Sequence, residues 1–332
     1  LAEAAGPSER ATIGFAWATM LLCAGRLGEG WDAYEARFDP DLPDSPIFEI
    51  EIPRLAEGPA AGRVLVVGEQ GVGDEILFAS LLPDLAAEGA RIAIAVDLRL
   101  VGLFGRSFPG LGIVPHATQR DKGRRRRWVP DPPASDAWTP MASLARRYRR
   151  ERTTFPDRRG YLHPAPERIA HWQGWLSARP GLKVGLLWKG SSAAGARTLQ
   201  YCPFAVLEPV LKTPGVTFVN LQYGDSTAEQ AEAQAMGVSM LPPPGLDLRN
   251  DLDDLAALCV ALDVVIGPAN ATTNLAGACG AEAWFLTAPA PWTHLGTSGP
   301  PWYPQARAFT ARRHGEWTEA VGELASALLE RR

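Results

Sequence analysis

The chain has 332 residues, of which 46% are hydrophobic and 21% charged, and its formal net charge is −4. That length suits two globular domains, each with its own core, and the mild acidity gives no whole-chain case for nucleic-acid or membrane binding. No apolar run reaches the roughly twenty residues a bilayer crossing needs, so no membrane span is expected. Cys23, Cys202, Cys259 and Cys279 lie far apart with no CxxC pair, and read as reduced core thiols of an intracellular protein. No signal peptide follows Leu1, which makes the cytoplasm the expected compartment and the chain a fragment or processed form. Among the basic residues only Lys122, Lys183, Lys189 and Lys212 are lysines.

In chain order, residues 1–40 contain two amphipathic helices around a Gly-rich turn, and "GRLGEGWDAYEARF" is patterned like the closing half of a tetratricopeptide unit. One such unit cannot bury its own face, so either further repeats stack on it or it packs onto the next domain. Residues 41–61 are proline- and acid-rich and read as a connector. A strand–helix alternation starts at 62 with "GRVLVVG" and "ARIAIAVD", short apolar runs suited to buried parallel strands, and defines a first Rossmann-like domain over 62–165. The pattern lapses over 117–160, where the arginine-rich segments "RDKGRRRRWVPDPP" and "ARRYRRERTTFPDRRG" dominate. A helix over 166–180 is expected between the domains. The alternation then restarts over 181–314 with "KVGLLWKG", "VTFVNLQYG", "DVVIGPA" and "AEAWFLTA" as strands, and 315–332 closes the chain with an amphipathic helix. The fold class is therefore α/β, two Rossmann-like domains facing a cleft and preceded by a short helical segment.

The first loop, "GEQGVGDE", is not a phosphate loop. A P-loop has a Lys and a Ser or Thr after its last glycine, where this sequence has Asp74 and Glu75, and the GxGxxG fingerprint does not fit glycines at 68, 71 and 73. Carboxylates suit a helix N-terminus but repel a phosphate docked on the same amides. Gly71, Gly73 and Glu75 thus frame an acceptor-side loop, with Asp74 expected ionised at the mouth of a cleft and able to take a proton from a hydroxyl. The same residue can equally serve as a helix cap, and the residues alone leave both readings open.

The second half offers the anion site. In "VVIGPANATTNLAGACG" a helix opens near Asn270 with free amides beside Thr272, Thr273 and Asn274, and no carboxylate. In "LLWKGSS" a strand ends at Trp188 and is followed by Lys189, Gly190 and Ser191, a place where a lysine neutralises a departing phosphate. In "NLQYG", Gln222 and Tyr223 are placed to meet a base or ribose.

Taken together in this order, "GEQGVGDEILFASLLPDL", "KVGLLWKGS", "FVNLQYG", "DLDDLAALCVALDVVIGPANATTNLAGACG" and "PWYPQARAF" resemble the bacterial tetratricopeptide-linked GT-B glycosyltransferases, distant relatives of the lipopolysaccharide heptosyltransferases and the O-GlcNAc transferases. The resemblance spans roughly residues 11–330 and implies a GT-B fold and an inverting, metal-independent transferase with no cofactor beyond its nucleotide-sugar co-substrate. It implies Asp74 as the base and Lys189, Asn270, Thr272 and Thr273 at the donor phosphates. Many relatives have a histidine where this chain has Asn274, which implies a donor with one phosphate or a weak activity, since asparagine carries no charge. Likeness to the flagellin-modifying branch implies a CMP-linked nonulosonic acid as donor, with UDP-, GDP- or ADP-sugars as the other choices, and a Ser or Thr of a protein such as flagellin as acceptor, delivered by upstream repeats.

Asp253 and Asp254 read as helix caps, His294 as a structural loop histidine, and Trp302 and Tyr303 as packing residues. The histidines show no metal-ligand spacing, so no metal is expected. The Arg124–Arg127 run reads first as a solvated loop, then as contact with an acidic acceptor, and last as a nucleic-acid site. The alternative function is a GT-B scaffold of little or no activity acting through its helical repeats.

Overall fold

The computed structural model describes residues 6–121, 123–190 and 195–331, which leaves Ser191 outside the described residues. The chain divides into two compact units, Leu1–Asp157 with Trp292–Thr297, and Arg158–Pro291 with Ser298–Arg332.

The first unit opens with α1 (Pro7–Cys23) and α2 (Leu27–Tyr34). Pro7 takes the first helical position and the Glu9 carboxylate accepts the Gly6 amide at 3.0 Å, so the entry to α1 is satisfied locally. The two helices pack onto the rest of their unit. Trp31 of α2 is 1% exposed, donates its indole N–H to the Arg149 carbonyl at 2.9 Å and meets the Phe78 ring edge-on at 6.2 Å.

There follow β1 (Ile47–Phe48), β2 (Arg63–Val67), α3 (Val72–Phe78), α4 (Leu82–Ala87), β3 (Arg91–Val96), α5 (Val101–Ser107), β4 (Gly112–Pro115), β5 (Ala117–Asp121), β6 (Arg124–Trp128), β7 (Ala137–Pro140) and α6 (Leu144–Tyr148). The main sheet has the order β4-β3-β2-β7 with every pair parallel. Val64 to Val67 are buried without exception, as a strand covered on both faces requires. A smaller sheet, β1-β6-β5, pairs β5 and β6 antiparallel. The stretch over 117–160 where the alternation lapses therefore still holds β5, β6, β7 and α6. Its hairpin strands, "ATQRD" and "RRRRW", lack the apolar run that marks a strand; tertiary pairing overrides their propensity.

The second unit contains α7 (Pro166–Ser177), β8 (Leu182–Leu186), α8 (Glu208–Leu211), β9 (Val216–Asn220), α9 (Thr227–Ala235), β10 (Met240–Leu241), α10 (Leu252–Ala261), β11 (Val264–Gly267), α11 (Ala271–Ala278), β12 (Ala283–Thr287), β13 (Arg307–Thr310) and α12 (Thr318–Glu330). Its sheet is parallel throughout, in the order β10-β9-β8-β11-β12-β13. The helix expected between domains, α7, lies inside this unit against α10: the Trp172 indole donates to Asp254 at 3.0 Å and Arg168 pairs with Asp251 at 3.2 Å. Asp251 caps α10, which leaves Asp254 to hold α7. The closing helix α12 buries Val321, Leu324 and Leu328 in the core of the unit.

Counted within each unit, the strands of the two main sheets begin in one pattern: the first strand sits between the second and the fourth. Strand order reverses at that point, and in open α/β sheets ligands bind beyond the carboxyl ends of the two strands that flank it. These strands are β2 and β7 in the first unit, and β8 and β11 in the second.

Candidate functional site

In the first unit, β2 runs straight into the glycine-rich loop. The Gly68 amide still bonds Ala95 of β3 at 2.7 Å, Gln70 then adopts a left-handed conformation with φ of 59°, and α3 begins after Gly71. The Gly71 amide donates to Asp74 Oδ2 at 3.1 Å, so the carboxylate closes a capping turn while remaining partly exposed. Burial pushes the Asp74 carboxyl up to about 6, with the Glu69 and Glu75 charges acting in the same direction and the Gly71 amide and Arg125 opposing. A carboxyl at about 6 is still mostly ionised at neutral pH, as expected, and is a stronger base than an ordinary aspartate.

Glu75, its neighbour, points the other way. It is 1% exposed and accepts from the Asp97 amide at 2.8 Å and lies 2.8 Å from His116 Nε2, with Arg127 Nη1 at 3.5 Å. A Cβ on Gly68 would fall 2.5 Å from the Glu75 carboxyl carbon, so a glycine there makes room for the buried acid. Gly71 has no such demand: its added Cβ meets only Asp74 Oδ2 at 3.4 Å. Gly73 lies in the first turn of α3, next to Asp74.

The arginine run is strand β6, and its period of two divides the side chains. Arg125 donates to the Gln70 carbonyl and Arg127, buried at 5% exposed, donates to the Gly68 carbonyl. Arg124 and Arg126 instead serve the outer side, where Arg126 meets Glu49 and Asp121. The run is therefore no solvated loop; half of it braces the Asp74 loop. Glu69 completes this layer: 1% exposed, it takes Arg37 in a two-pronged pair at 2.7 and 3.0 Å and the Ala142 amide, just past β7, at 2.9 Å.

In the second unit the loops after β8 and β11 lie side by side. A Cβ on Gly267 would fall 2.5 Å from the Leu187 side chain, which shows how closely the two strand ends approach. The Lys189 ammonium pairs with Glu229 of α9. Gly190 lies against the Tyr201 hydroxyl, which occupies the place of a side chain. Gln222 is buried and its carboxamide is used in full: Oε1 accepts from the Trp188 and Lys189 amides, each at 3.0 Å, and Nε2 donates to the carbonyls of Lys189 at 3.1 Å and Tyr223 at 3.0 Å. It shapes the Lys189 turn, and Tyr223 beside it is half-buried. Asn270 caps α11, with Oδ1 accepting from Thr272 at 3.0 Å and Thr273 at 3.3 Å, so these first-turn amides, expected free, are already engaged. The Thr273 hydroxyl donates to the Pro268 carbonyl at 2.5 Å. Asn270 Nδ2 is buried with no protein partner, and Thr272 and Asn274 are buried beside it.

The remaining candidates are structural. His294 belongs to the first unit, is 3% exposed, and burial holds its imidazole down at about 4. Trp302 and Tyr303 are buried, the latter stacked on Phe285 at 6.1 Å between ring centroids. Among the described residues no group of three metal-ligating side chains is gathered, and no helix is long and apolar enough to cross a membrane. Sequence reasoning missed Arg37, Glu69 and Glu229, and noted Arg125 and Arg127 only as members of a run read first as solvated loop. One signal was available: a loop with three acids, Glu69, Asp74 and Glu75, needs counter-charge, and four consecutive arginines supply it.

No protein-family model matches the chain. It is 44% identical over 331 residues to Protein FlbA of Caulobacter vibrioides, a match that covers 97% of this chain and 56% of that protein, so the chain spans little more than half the length of this relative. Among solved structures, a glycosyl transferase family 9 protein from Veillonella parvula superposes with a TM-score of 0.57 at 13% identity, covering 81% of this chain and 97% of that one. The E. coli ADP-heptose lipopolysaccharide heptosyltransferase II superposes with a TM-score of 0.52 at 15% identity, covering 81% and 99%. The α/β fold with parallel sheets is thus the fold of GT-B glycosyltransferases.

Proposed function

We propose that the chain is the catalytic portion of an inverting glycosyltransferase that moves a sugar from a nucleotide sugar to a hydroxyl. The observation that carries this reading is that the strand-order reversal of each sheet presents complementary chemistry, a carboxyl poised near neutrality in the first unit and a cation with an unpartnered amide in the second. Asp74 takes the proton of the acceptor hydroxyl while the hydroxyl oxygen bonds to the anomeric carbon and the bond from that carbon to the departing phosphate breaks. Lys189 and Asn270 Nδ2 meet the negative charge that grows on the leaving nucleotide, and Lys189 must exchange Glu229 for that phosphate. No metal enters the step. The fold shared with a heptosyltransferase supports a nucleotide-sugar donor, and the asparagine at 274 supports a donor with a single phosphate, such as a CMP-linked nonulosonic acid, ahead of UDP-, GDP- or ADP-sugars. A Ser or Thr of a protein, flagellin being the example the resemblance suggests, is the acceptor we favour.

The test is calorimetric titration with CMP, UDP, GDP, ADP and dTDP. Saturable binding of one, weakened by Lys189→Ala, supports the donor site and identifies its nucleotide. Binding of none, together with no sugar transfer, favours the scaffold reading.

A further inference from the structure

Arg37, at the end of the helical segment, is 2% exposed, and all five of its N–H groups are spoken for. Nε and Nη2 grip Glu69 at 2.7 and 3.0 Å; Nη1 donates to the Tyr34 carbonyl at 3.0 Å and Glu35 at 2.7 Å; Nη2 also donates to Ser143 at 2.8 Å. Three parts of the chain meet at this one guanidinium: the helical segment, the loop leaving β2, and the turn after β7. The last two flank the strand-order reversal that carries Asp74. A second tie runs parallel to it, Gln70 Nε2 donating to the Tyr34 hydroxyl at 2.9 Å. Gln70 is the left-handed residue, and the next amide, Gly71, is the one that holds Asp74.

We propose that Arg37 is a positioning residue for Asp74, which makes the N-terminal helical segment part of the reacting unit. The inference rests on Asp74 being the base. A buried ion pair is a poor way to gain stability, because desolvation offsets most of its attraction and apolar residues of similar volume do as well. What Arg37 supplies better than an apolar residue is direction: five bonds, two of which fix Glu69 and, through it, the turn at Gln70. The charged and titratable groups facing Asp74 are Glu69, Glu75, Arg125 and Tyr34.

The paired replacement Arg37→Met with Glu69→Leu removes the grip and both of its charges, and leaves Glu35 with Arg54 at 3.4 Å and the Ser143 hydroxyl at 2.8 Å. In the full chain it is expected to keep the unfolding temperature within a few degrees, while amide exchange over residues 68–74 quickens. Nucleotide release from ADP-heptose or a CMP-linked nonulosonic acid is expected to fall roughly 10- to 100-fold in kcat with KM unchanged, the loss that follows a misplacement of about 1 Å. The acid limb of its pH profile is expected to move down as the Glu69 charge is lost. Arg37→Lys, with fewer donors and no fork, is expected not to restore the rate. Wild-type exchange in the paired variant, wild-type kcat in it, or full rescue by lysine each overturns the proposal. If the paired variant does not fold, Tyr34→Phe decides, with faster exchange at Gln70 and a several-fold lower kcat expected. If Asp74→Asn retains transfer, the base assignment fails on its own, and exchange over 68–74 still tells whether Arg37 holds the loop.

Discussion

In the first unit the loop at the strand-order reversal gathers Glu69, Asp74 and Glu75 within seven residues, and the arginines that balance them come from distant chain, Arg37 before it and Arg125 and Arg127 after it. In the second unit the loops at the equivalent place bring the cation Lys189, whose partner Glu229 is a side chain from a neighbouring helix, and a helix start that caps itself through Asn270. One strand order thus supports two electrostatic solutions. A buried, braced acid layer holds one carboxyl near neutral pH; a shallow, partly exposed ion pair leaves its cation exchangeable. Fold fixes where a site stands and the side chains at the strand ends decide its sign.

The comparison breaks most sharply at Asp74. Asp74→Asn keeps the cap hydrogen bond but removes the proton acceptor, so kcat for sugar transfer is expected to fall about 10²- to 10⁴-fold with donor affinity unchanged. Calorimetry on the variant and a rate assay check both halves; a joint loss of nucleotide binding would mean that the two units do not divide the labour. Next in size is the acid layer. Glu75→Ala leaves Arg127 and the Asp97 amide without their buried partner, and a loss of about 3–5 kcal/mol in urea unfolding is expected. A loss below 1 kcal/mol would show the layer to be solvated.

Much of the fold was legible because parallel strands buried on both faces announce themselves as unbroken apolar runs, as "RVLVV" and "VVIG" do. The Arg124–Arg127 strand was not, since nothing in four arginines says that alternate members turn inward to backbone carbonyls 55 and 59 residues away. The Asp74 cap was one of the two readings that local spacing left open, whereas the Asn270 helix start was read as offering free amides and in fact caps itself. Arg37 and Glu69 were not legible, because their pairing is a property of the folded unit, and the use of the Gln222 carboxamide on four backbone groups is visible only once β8 and β9 lie side by side. Local chemistry can be read from a sequence; long-range charge pairing needs the topology first.

In the second unit the same logic predicts smaller effects. Lys189→Ala is expected to weaken the nucleotide that binds by roughly 10- to 100-fold, the value of a charge-assisted hydrogen bond. Glu229→Gln frees the lysine and is expected to tighten binding a few-fold; looser binding would show that Glu229 itself contacts the ligand.

The smallest effect returns to the first unit and concerns stability alone. The Asp74 carboxyl is raised to about 6 from the 3.8 of an unstructured aspartate, so the folded chain holds this proton more tightly than the unfolded chain does. The stabilisation it contributes is complete below about pH 3.8 and is lost as pH rises through about 6, which makes the ionised residue a cost at neutral pH. Since Asp74 is partly exposed, solvent screening reduces that cost to about 1 kcal/mol. Asp74→Asn is therefore expected to raise the unfolding temperature slightly at pH 7.5 and to give no advantage at pH 4. An equal gain at both values would tie the effect to packing instead of charge.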